Sequence, residues 1–423
     1  MRGGLISAPQ RFAPLEGLER LNAADRPPVA VAFSGGSDSL ALLHLAKAWA
    51  DSAGRALIGL TVDHGLQPCS AAWSRFAEGR ARQLGVAHRI LAWRGDKPVT
   101  GLPAAARTAR HALLAEATRS AGARVILLAH TADDLMEAQI MRQSGTSLPS
   151  PRLWSPSPAW PDGRGVFLLR PLLGHRRADL QRWLTDLGET WIDDPANDDP
   201  HYSRTLARRR LRDDPVTASA ADPLTPPAGW EAIEQGVGGD LNLPRGLLTN
   251  RRTEAHRLIG ALALCAAGAT RPPAAASLDR IADRLAAGDF TASLAGARIE
   301  ACGDQIRFCR EPGERARGGL RPAALPIGDS VFDGRFLLSA SQPGHSVAPL
   351  HGLAAQLPRP QRGQLKAIPP GVRGGLPVVI APSGEVSCPI LAMNRGVLAR
   401  PLGLARLQAA MGVVADEQGA VAA

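Results

Sequence analysis

The sequence is poor in the side chains that build disulfide-linked or metal-stabilised folds. Its 423 residues include five cysteines, and no two of them are spaced Cys-x-x-Cys. The cysteines are scattered along the chain, at Cys69, Cys265, Cys302, Cys309 and Cys388. An odd and scattered set argues against a disulfide framework and against a zinc knuckle. Aromatic residues make up only 4% of the chain, so the core has to be built mainly from leucine, alanine and valine.

Long apolar segments are also missing. The sequence has no run of about 18 consecutive apolar residues, which is the length that a membrane-spanning helix needs. The first residues, MRGGLISAPQRF, lack the apolar core of a signal peptide. With 45% hydrophobic and 21% charged residues, the composition is ordinary for a soluble globular protein. These features predict a reduced, soluble, cytoplasmic protein.

Acidic residues are in the minority among the charged side chains. The chain has 49 Lys+Arg against 39 Asp+Glu, which gives a net charge of +10. Such a surface attracts polyanions at long range. A composition bias towards arginine explains the same count, so the charge alone favours a nucleic-acid partner only modestly.

Short apolar segments alternate with helical segments in the first half of the chain. The predicted strands lie at 29–33, 56–63, 86–93, 124–130 and 167–173. The predicted helices lie at 38–50, 71–84, 103–120, 133–143 and 175–188. This alternation predicts an α/β fold with a doubly wound parallel sheet and helices on both faces. Ligands of such sheets bind beyond the carboxyl ends of the strands.

Composition further divides the chain into domains. We predict an N-terminal extension at 1–24 and an α/β domain at 25–212, which is interrupted by a Pro/Ser-rich loop at 147–163. Residues 213–229, rich in proline, alanine and aspartate, form a predicted linker. A helical middle domain at 230–291 and a small mixed C-terminal region at 292–423 complete the predicted organisation.

One loop between the first predicted strand and the first predicted helix carries a chemical signature. It consists of Ser34, Gly35, Gly36, Ser37, Asp38 and Ser39. Glycines let a ligand approach the main chain, and the start of a helix offers unpaired N–H groups and a positive dipole end. The loop therefore predicts an anion cradle, most naturally for phosphate. The simpler alternative is a strand–helix turn in which Asp38 or a serine is the N-cap.

The loop is neither of the two common phosphate-binding motifs. No Gly-Lys-Ser/Thr follows it, so it is not a Walker A loop, and the dinucleotide pattern Gly-x-Gly-x-x-Gly is absent. A carboxylate in a phosphate cradle would repel the phosphate unless it held a cation. We therefore predict that Asp38 is catalytic and binds Mg²⁺ against the phosphates.

The segment SGGSDS after an apolar strand resembles the PP-loop of the N-type ATP pyrophosphatases. Those enzymes split ATP into AMP and pyrophosphate and adenylate a substrate oxygen. Four further segments resemble one branch, the tRNA(Ile)-lysidine synthases. They are TVDHGLQP (61–68), AARTARHALL (105–114), AHTADDLMEA (129–138) and the stretch from RPLL through WIDDPAN to the arginines at 170–212. The resemblance covers about 25–212 well and continues weakly at DGRF (333–336) and LPVVIAPSG (376–384).

The resemblance implies a Rossmann-like PP-loop domain in a cytoplasmic ligase. In that family, ATP adenylates the wobble cytidine at C2 in an isoleucine tRNA with a CAU anticodon. The ε-amine of free lysine then displaces AMP and forms lysidine. The loop at 34–39 and Asp63 would bind ATP together with Mg²⁺, and the segment 230–291 would contact the tRNA.

Polar side chains also follow other predicted strands. His130, Asp133 and Asp134 come after the fourth strand, where they are placed to hold an ammonium group, to hold Mg²⁺ or to transfer a proton. We assign His130 and Asp134 to catalysis, and Asp133 and Asp134 to substrate binding. The alternative is a helix capped by Thr131 or Asp133. For Asp63 and His64, which end the second predicted strand, a contact to ATP and a role in turn structure are equally good interpretations.

Arginines supply possible phosphate ligands. Arg107 and Arg110 lie one turn apart on a predicted helix, which makes a solvated face the simple interpretation; only the resemblance assigns Arg110 to catalysis. A second group is crowded without acidic residues, at Arg204, Arg208, Arg209, Arg210 and Arg212. Uncompensated arginines suit a phosphate backbone, and we assign Arg204 and Arg208 to substrate binding. In the acidic loop before them, Asp193, Asp194 and Asn197 either form turns or, by resemblance, shape the site near the base.

The sequence departs from the family at a few positions. Leu135 and Ala138 replace a glutamine and a threonine, while Glu137 between them is kept; Pro103 and His111 stand where the family has Glu and Tyr. Two alternatives therefore stay open. One is another PP-loop tRNA modification enzyme such as a thiolase, which needs paired cysteines. The other is a catalytically inactive, basic RNA-binding homologue.

Overall fold

The structure is a computed structural model that describes most of the chain. The described residues are 15–144, 150–193, 224–248, 252–311, 320–392 and 396–421, with Leu206, Leu211 and Gly313. The chain divides into two compact units. The first unit is Met1–Leu224 with Val414–Ala422, and the second unit is Thr225–Val413.

The first unit contains a six-stranded sheet in the order β3-β2-β1-β4-β6-β5. Its strands are β1 (Val29–Ala32), β2 (Leu57–Asp63), β3 (Ala87–Ala92), β4 (Val125–Leu127), β5 (Trp154–Pro156) and β6 (Phe167–Leu169). β1 to β4 and β6 pair in parallel, whereas β5 is antiparallel to β6. The predicted parallel sheet is therefore confirmed.

Helices cover both faces of this sheet. They are α1 (Ser37–Ala53), α2 (Ser70–Gln83), α3 (Leu102–Ser120), α4 (Ala132–Gln143) and α5 (Arg177–Asp186). Val29 and Val31 of β1 pack into one core with α1, α2 and α5, whereas Ala30 packs into a second core with α3. Successive residues of a strand point to opposite faces, so the continuous apolar run of β1 is buried on both sides.

The Pro/Ser-rich loop at 147–163 differs from the prediction because it contains a strand. β5 lies at the edge of the sheet, where Trp154 pairs with Leu169 and Pro156 pairs with Phe167. An edge strand tolerates proline because one side of its backbone has no partner strand. The Trp154 and Phe167 rings stack with their centroids 4.9 Å apart, which fixes the strand on β6.

The second unit is built from antiparallel sheets. A five-stranded sheet has the order β7-β8-β11-β10-β9, from β7 (Glu234–Gln235), β8 (Leu241–Pro244), β9 (Phe290–Leu294), β10 (Ala297–Cys302) and β11 (Gln305–Arg310). Three helices contribute side chains to its core: α6 (Arg252–Ala267), α7 (Ala275–Ala287) and α10 (Gly403–Met411). The segment 230–291, predicted to be helical, thus also supplies two strands. The predicted domain boundary at 291 falls within β9. The helices of this segment bury their apolar faces against β9 to β11, so helices and strands share one core.

Two smaller sheets complete the second unit. One has the order β12-β15-β16-β17 and consists of β12 (Ala323–Ala324), β15 (Ser346–Pro349), β16 (Pro377–Ile380) and β17 (Val386–Ser387). The other has the order β13-β14-β18 and consists of β13 (Gly328–Phe332), β14 (Phe336–Ala340) and β18 (Val397–Pro401). Two short helices, α8 (Arg359–Leu365) and α9 (Pro370–Arg373), lie between β15 and β16 in the sequence. Among the described helices of the chain, none is long and apolar enough to cross a membrane.

The C-terminal segment belongs to the first unit, where a buried ion pair holds it. Glu417 is fully buried, and its carboxylate accepts hydrogen bonds from Arg55 Nη2 at 2.8 Å and Nη1 at 3.2 Å. Arg55 is also buried, and its Nε donates to the Pro27 carbonyl at 2.9 Å. A buried charge is tolerated only when it is paired. The pair therefore ties the C-terminal segment to the chain just before β2.

Glu417→Ala should lower the free energy of unfolding of the first unit by about 3–5 kcal/mol, because it leaves Arg55 buried without a counter-ion. Urea unfolding followed by circular dichroism measures the change. Glu19→Ala removes an exposed carboxylate from the same unit and should shift stability by no more than about 0.5 kcal/mol. Equal stability of the two variants would contradict this role for the ion pair.

Candidate functional site

The carboxyl ends of β1 and β4 meet at the point where the strand order reverses. β1 lies between β2 and β4, so the chain winds towards one edge of the sheet from β1 and towards the other from β4. Such a switch point opens a crevice beyond the carboxyl ends of the two strands. The loop at 34–39 follows β1, and residues 130–134 follow β4. The two sequence-predicted groups thus lie at the same crevice.

The backbone of the loop requires a glycine at position 35. Gly35 has a φ of 85°, a conformation that favours glycine, and a Cβ atom there would lie 2.5 Å from Ile192 Cδ1. Ile192 also donates its N–H to the Gly35 carbonyl at 2.9 Å. Ser39 Oγ donates to the Gly36 carbonyl at 2.9 Å and lies 3.1 Å from Ser34 Oγ. These contacts hold the loop in a fixed shape around the start of α1.

The N-cap of α1 is Gly36, not an aspartate or a serine. Gly36 has extended backbone angles, and no side chain caps the helix. Ser37 and Asp38 are therefore the first residues of the helix proper, and their side chains are not occupied by capping. The interpretation in which Asp38 or a serine is the N-cap therefore does not account for these two side chains. The start of α1 lies at the crevice, where its first N–H groups suit an anion cradle.

Asp38 is a largely buried carboxylate with one cation beside it. Its side chain is 17% exposed, and Arg177 Nε donates to its Oδ2 at 2.7 Å. Burial raises the pKa of Asp38; Arg177 opposes this rise, whereas the neighbouring Asp134 and Asp133 add to it. A perturbed carboxyl group in a crevice is typical of a functional site.

Asp134 combines a capping role with a contact to the same arginine. Its Oδ2 accepts the Thr131 N–H at 2.8 Å and the Thr131 hydroxyl at 3.1 Å, which completes a capping box at the start of α4. The same oxygen lies 3.6 Å from Arg177 Nη2. The alternative that Thr131 caps this helix is therefore correct, yet Asp134 still faces the crevice.

Asp133 joins the starts of two helices. Its Oδ2 accepts the backbone N–H of Arg177, the first residue of α5, at 2.8 Å. Arg176 Nε and Nη2 also donate to its two oxygens, both at 3.2 Å. The carboxylate thus satisfies an N–H group at the start of a helix other than its own. This geometry indicates that Asp133 positions Arg177.

Three residues that the sequence analysis did not assign to the site complete it: Glu137, Arg177 and Gln181. Glu137, one turn after Asp134 on α4, has a side chain that is 2% exposed, and its Oε1 lies 3.4 Å from Arg177 Nη1. Burial acts to lower the pKa of Arg177, but Asp38 and the other carboxylates outweigh it, so that the pKa is raised. One turn along α5, Gln181 donates to Ser37 Oγ at 3.2 Å. The sequence held one indication: acidic residues three positions apart on a helix share a face and need a cation when buried.

Asp63 and Arg110 lie at the same edge of the sheet. Asp63 ends β2, and its Oδ1 accepts the Gly65 N–H at 2.8 Å, so the turn interpretation is correct for that oxygen. Burial lowers the pKa of His64, and the positive charge of Arg110 lowers it further. Arg110 of α3 therefore lies near His64, which follows the end of β2. The His64 ring packs edge-on against Trp93, with centroids 5.9 Å apart. Contact of Asp63 with ATP remains a prediction.

Other predicted residues lie near this edge or outside the described residues. His130 is half-buried between β4 and α4, and Arg107 is exposed on α3. His111 is buried, and burial, followed by Arg110 and Arg107, lowers its pKa to about 3, so it is a neutral packing residue. Seven predicted residues are outside the described part of the chain: Asp194, Asn197, Arg204, Arg208, Arg209, Arg210 and Arg212. Asp193 is described, and its Oδ1 accepts a hydrogen bond from Trp191 Nε1 at 3.2 Å.

The site combines an anion cradle with a group of carboxylates. Within the described residues, no three His, Cys, Asp or Glu side chains are grouped to hold a metal ion by themselves. A site completed by phosphate oxygens needs only one or two protein carboxylates for Mg²⁺, and Asp38 is placed to supply one. The arrangement can therefore bind a nucleoside triphosphate on the loop and a cation on the carboxylates.

Comparisons with known proteins agree with this geometry. A family model described as a PP-loop domain matches residues 15–214. The tRNA(Ile)-lysidine synthase of Caulobacter vibrioides is 48% identical over 374 residues, which cover 86% of this chain and 87% of that protein. Proteins of the same name from Hyphomonas neptunium and Mesorhizobium japonicum are 40% and 35% identical. Those matches cover 67% and 77% of this chain, and 81% and 76% of the relatives.

The chain therefore has the PP-loop α/β fold, and its match to the Caulobacter vibrioides protein covers most of both chains. The predicted resemblance is confirmed, and the chain belongs to the tRNA(Ile)-lysidine synthase family.

Proposed function

We propose that this chain is a ligase that joins free lysine to the wobble cytidine of an isoleucine tRNA with a CAU anticodon. The observation that carries this proposal is the position of Arg177, which bridges the anion cradle and the buried carboxylates. Its Nε lies 2.7 Å from Asp38 in the loop, and its Nη atoms lie 3.4 Å from Glu137 and 3.6 Å from Asp134. Lysidine formation needs such a juxtaposition, because a leaving pyrophosphate and a cationic amine have to bind beside the same base.

In the first step, the cytidine O2 attacks the α-phosphorus of ATP. A bond forms between O2 and phosphorus, and the bond from phosphorus to the bridging oxygen of pyrophosphate breaks. Negative charge builds up on the leaving pyrophosphate, where the N–H groups at the start of α1 can stabilise it. Arg110, near the end of β2, is placed to neutralise charge on the α-phosphate. Asp38 is placed to hold Mg²⁺, which when bound would neutralise charge on the phosphates.

In the second step, the lysine ε-nitrogen forms a bond to C2, and the C2–O2 bond breaks as AMP leaves with O2. Asp134 and Glu137 suit the binding of the lysine ammonium, because both are buried and face one cation already. The ammonium must lose a proton before it attacks, and His130 or a carboxylate of this group is the candidate acceptor. Asp133 positions the start of α5 rather than binding lysine directly.

The cysteines do not support sulfur transfer, the chemistry of a PP-loop thiolase. Burial raises the pKa of Cys265 and Cys388 to about 11 and that of Cys309 to about 12. Such thiols stay protonated at neutral pH and are poor nucleophiles. Cys69 and Cys302 have no disulfide partner and are far apart in the sequence. Ligation by an amine is therefore the better reading of this site.

A cationic face on the second unit is a candidate tRNA contact. No Asp or Glu occurs between Asp333 and Glu385. On α8, the buried Leu365 and Gln361 face the core, and Gln361 Oε1 accepts the Cys388 N–H at 2.8 Å. Three exposed cations, spaced by about one turn, lie on the outer side of this helix: Arg359, Arg362 and the C-cap residue Lys366. We call these three residues the α8 face.

These three side chains have no ion-pair or hydrogen-bond partner among the residues that the structure describes. By contrast, the segment 230–291, predicted to contact tRNA, has as many acidic as basic residues. Uncompensated cations on a fixed helix favour a phosphate backbone. We therefore place the tRNA contact of the second unit on the α8 face.

Replacing all three cations of the α8 face by glutamate should weaken tRNA binding ~10–100-fold at about 0.1 M salt and reduce its salt dependence. Each lost phosphate contact lowers the slope of log K against log salt concentration by about 0.9. Filter binding over a range of salt concentrations measures both quantities. Arg280→Glu, an exposed charge reversal on α7 beside Asp279 and Asp283, is the control. An unchanged slope in the triple variant would contradict the assignment.

The proposed reaction is tested by transfer of radiolabelled lysine to total bacterial tRNA with ATP and Mg²⁺. We expect ATP-dependent label in the CAU-anticodon isoleucine tRNA. Asp38→Ala should reduce the label ~10³-fold, because it removes the metal-binding carboxylate, while tRNA affinity stays within about threefold. Asp51→Ala, which removes an exposed carboxylate from the same helix, is the matched control. Pyrophosphate release without label would indicate another nucleophile, and absence of both products would favour the RNA-binding homologue.

A further inference from the structure

Arg177 occupies the place that the substrate cations need. It is the first residue of α5, and its guanidinium contacts Asp38, Asp134 and Glu137 at 2.7, 3.6 and 3.4 Å between nitrogen and oxygen. Its side chain is 24% exposed, so the guanidinium is neither sealed in the core nor free in solvent. If Asp38 holds Mg²⁺ and the other two hold an ammonium, then Arg177 competes with both ligands for the same oxygens.

Electrostatics explains why an arginine stands there. Three carboxylates that are between 2% and 17% exposed repel one another, and a buried negative group without a cation is strongly destabilised. Arg177 supplies that cation in the ligand-free protein. Its single charge does not balance three carboxylates, whereas a divalent ion together with a lysine ammonium would.

The guanidinium also lies beside the phosphate cradle. Asp38 is itself a residue of the loop, and Gln181, one turn further along α5, donates to Ser37 Oγ at 3.2 Å. The start of α5 is therefore fixed against the loop, with Asp133 holding its first N–H group. A guanidinium binds phosphate and carboxylate with the same planar fork of donors. A short movement of the side chain would exchange one anion for the other.

We infer that Arg177 is an exchange residue, which pairs with Asp38 in the ligand-free enzyme and moves to the phosphates of ATP when the nucleotide binds. The exchange frees Asp38 for the metal ion and brings a positive charge to the leaving pyrophosphate. It also removes the internal competitor from Asp134 and Glu137 before lysine binds. This inference rests on the proposed function, since it requires ATP on the loop and a cation on the carboxylates.

The test compares Arg177→Gln with Arg176→Gln, a change in the adjacent arginine, whose side chain is 52% exposed and pairs with Asp133. Isothermal titration calorimetry with the non-hydrolysable analogue α,β-methylene-ATP and with Mg²⁺ alone needs no turnover. We expect Arg177→Gln to bind the analogue ~10²-fold more weakly and Mg²⁺ alone about tenfold more tightly, while Arg176→Gln changes neither more than about threefold. In lysine transfer, kcat/KM for ATP should fall and KM for lysine should not rise.

Other results would overturn the exchange. Unchanged analogue binding by Arg177→Gln shows that the guanidinium does not reach phosphate. Weaker Mg²⁺ binding shows that Arg177 holds the carboxylates in shape and does not compete for them. If circular dichroism shows that Arg177→Gln does not fold, Arg177→Lys is used instead, because it keeps the charge. Arg177→Lys should weaken analogue binding about tenfold, since the planar fork of donors is lost. Binding of the analogue equal to that of the wild type would overturn the inference. Failure of wild-type lysine transfer would refute the proposed function alone, because the two binding comparisons would still decide the exchange.

Discussion

Three buried carboxylates share one guanidinium at the carboxyl edge of the sheet, and the first unit is arranged around this balance of charge. Asp38, Asp134 and Glu137 come from two helices, and Arg177 comes from a third. Carboxylates in a poorly solvated crevice repel each other, so the group is stable only with a cation in place. In the proposed function, the same requirement makes the group a binding site, because a substrate cation would take over the role of the arginine.

The sheet topology brings these charges together. α1 and α4 follow β1 and β4, which are neighbours in the sheet, so that both helices start at one crevice. α5 begins there too, because Asp133 binds its first N–H group and Gln181 binds the loop through Ser37. The starts of three helices therefore converge at one crevice, where their positive dipole ends favour an anion. The proposed anion cradle and the proposed cation site are thereby built from the same turns of helix.

The sequence predicts the elements of the first unit well, because each is dominated by local pattern. VAVA at 29–32 is apolar throughout and short, which is what a strand buried on both faces requires. The loop at 34–39 is recognisable for the same reason, since its glycines and serines are adjacent in the chain. β5 is missed because its pairing with β6 outweighs the local proline and serine signal for a loop. The sheet that unites 230–291 with later strands is missed because it depends on contacts distant in the sequence.

Charge pairs between distant segments are harder still to predict. Arg177 stands in a helix with several charged residues, and nothing in its neighbourhood indicates that its partner is Asp38. Glu417 reads as one acidic residue near the C-terminus, although it is fully buried against Arg55. Pairing of this kind is decided by which helices pack together. The residues that local pattern identifies are therefore those proposed to bind the phosphate, whereas the residues that balance their charge emerge only from the fold.

Release of pyrophosphate in a single turnover without lysine tests the adenylation step most directly. Enzyme in excess over CAU-anticodon isoleucine tRNA is mixed with labelled ATP and Mg²⁺, and pyrophosphate and AMP are followed separately. The account predicts about one pyrophosphate per tRNA with the AMP moiety retained on the RNA, and release of AMP only when lysine is added. Pyrophosphate that appears only after lysine addition, or equally well without tRNA, would contradict it.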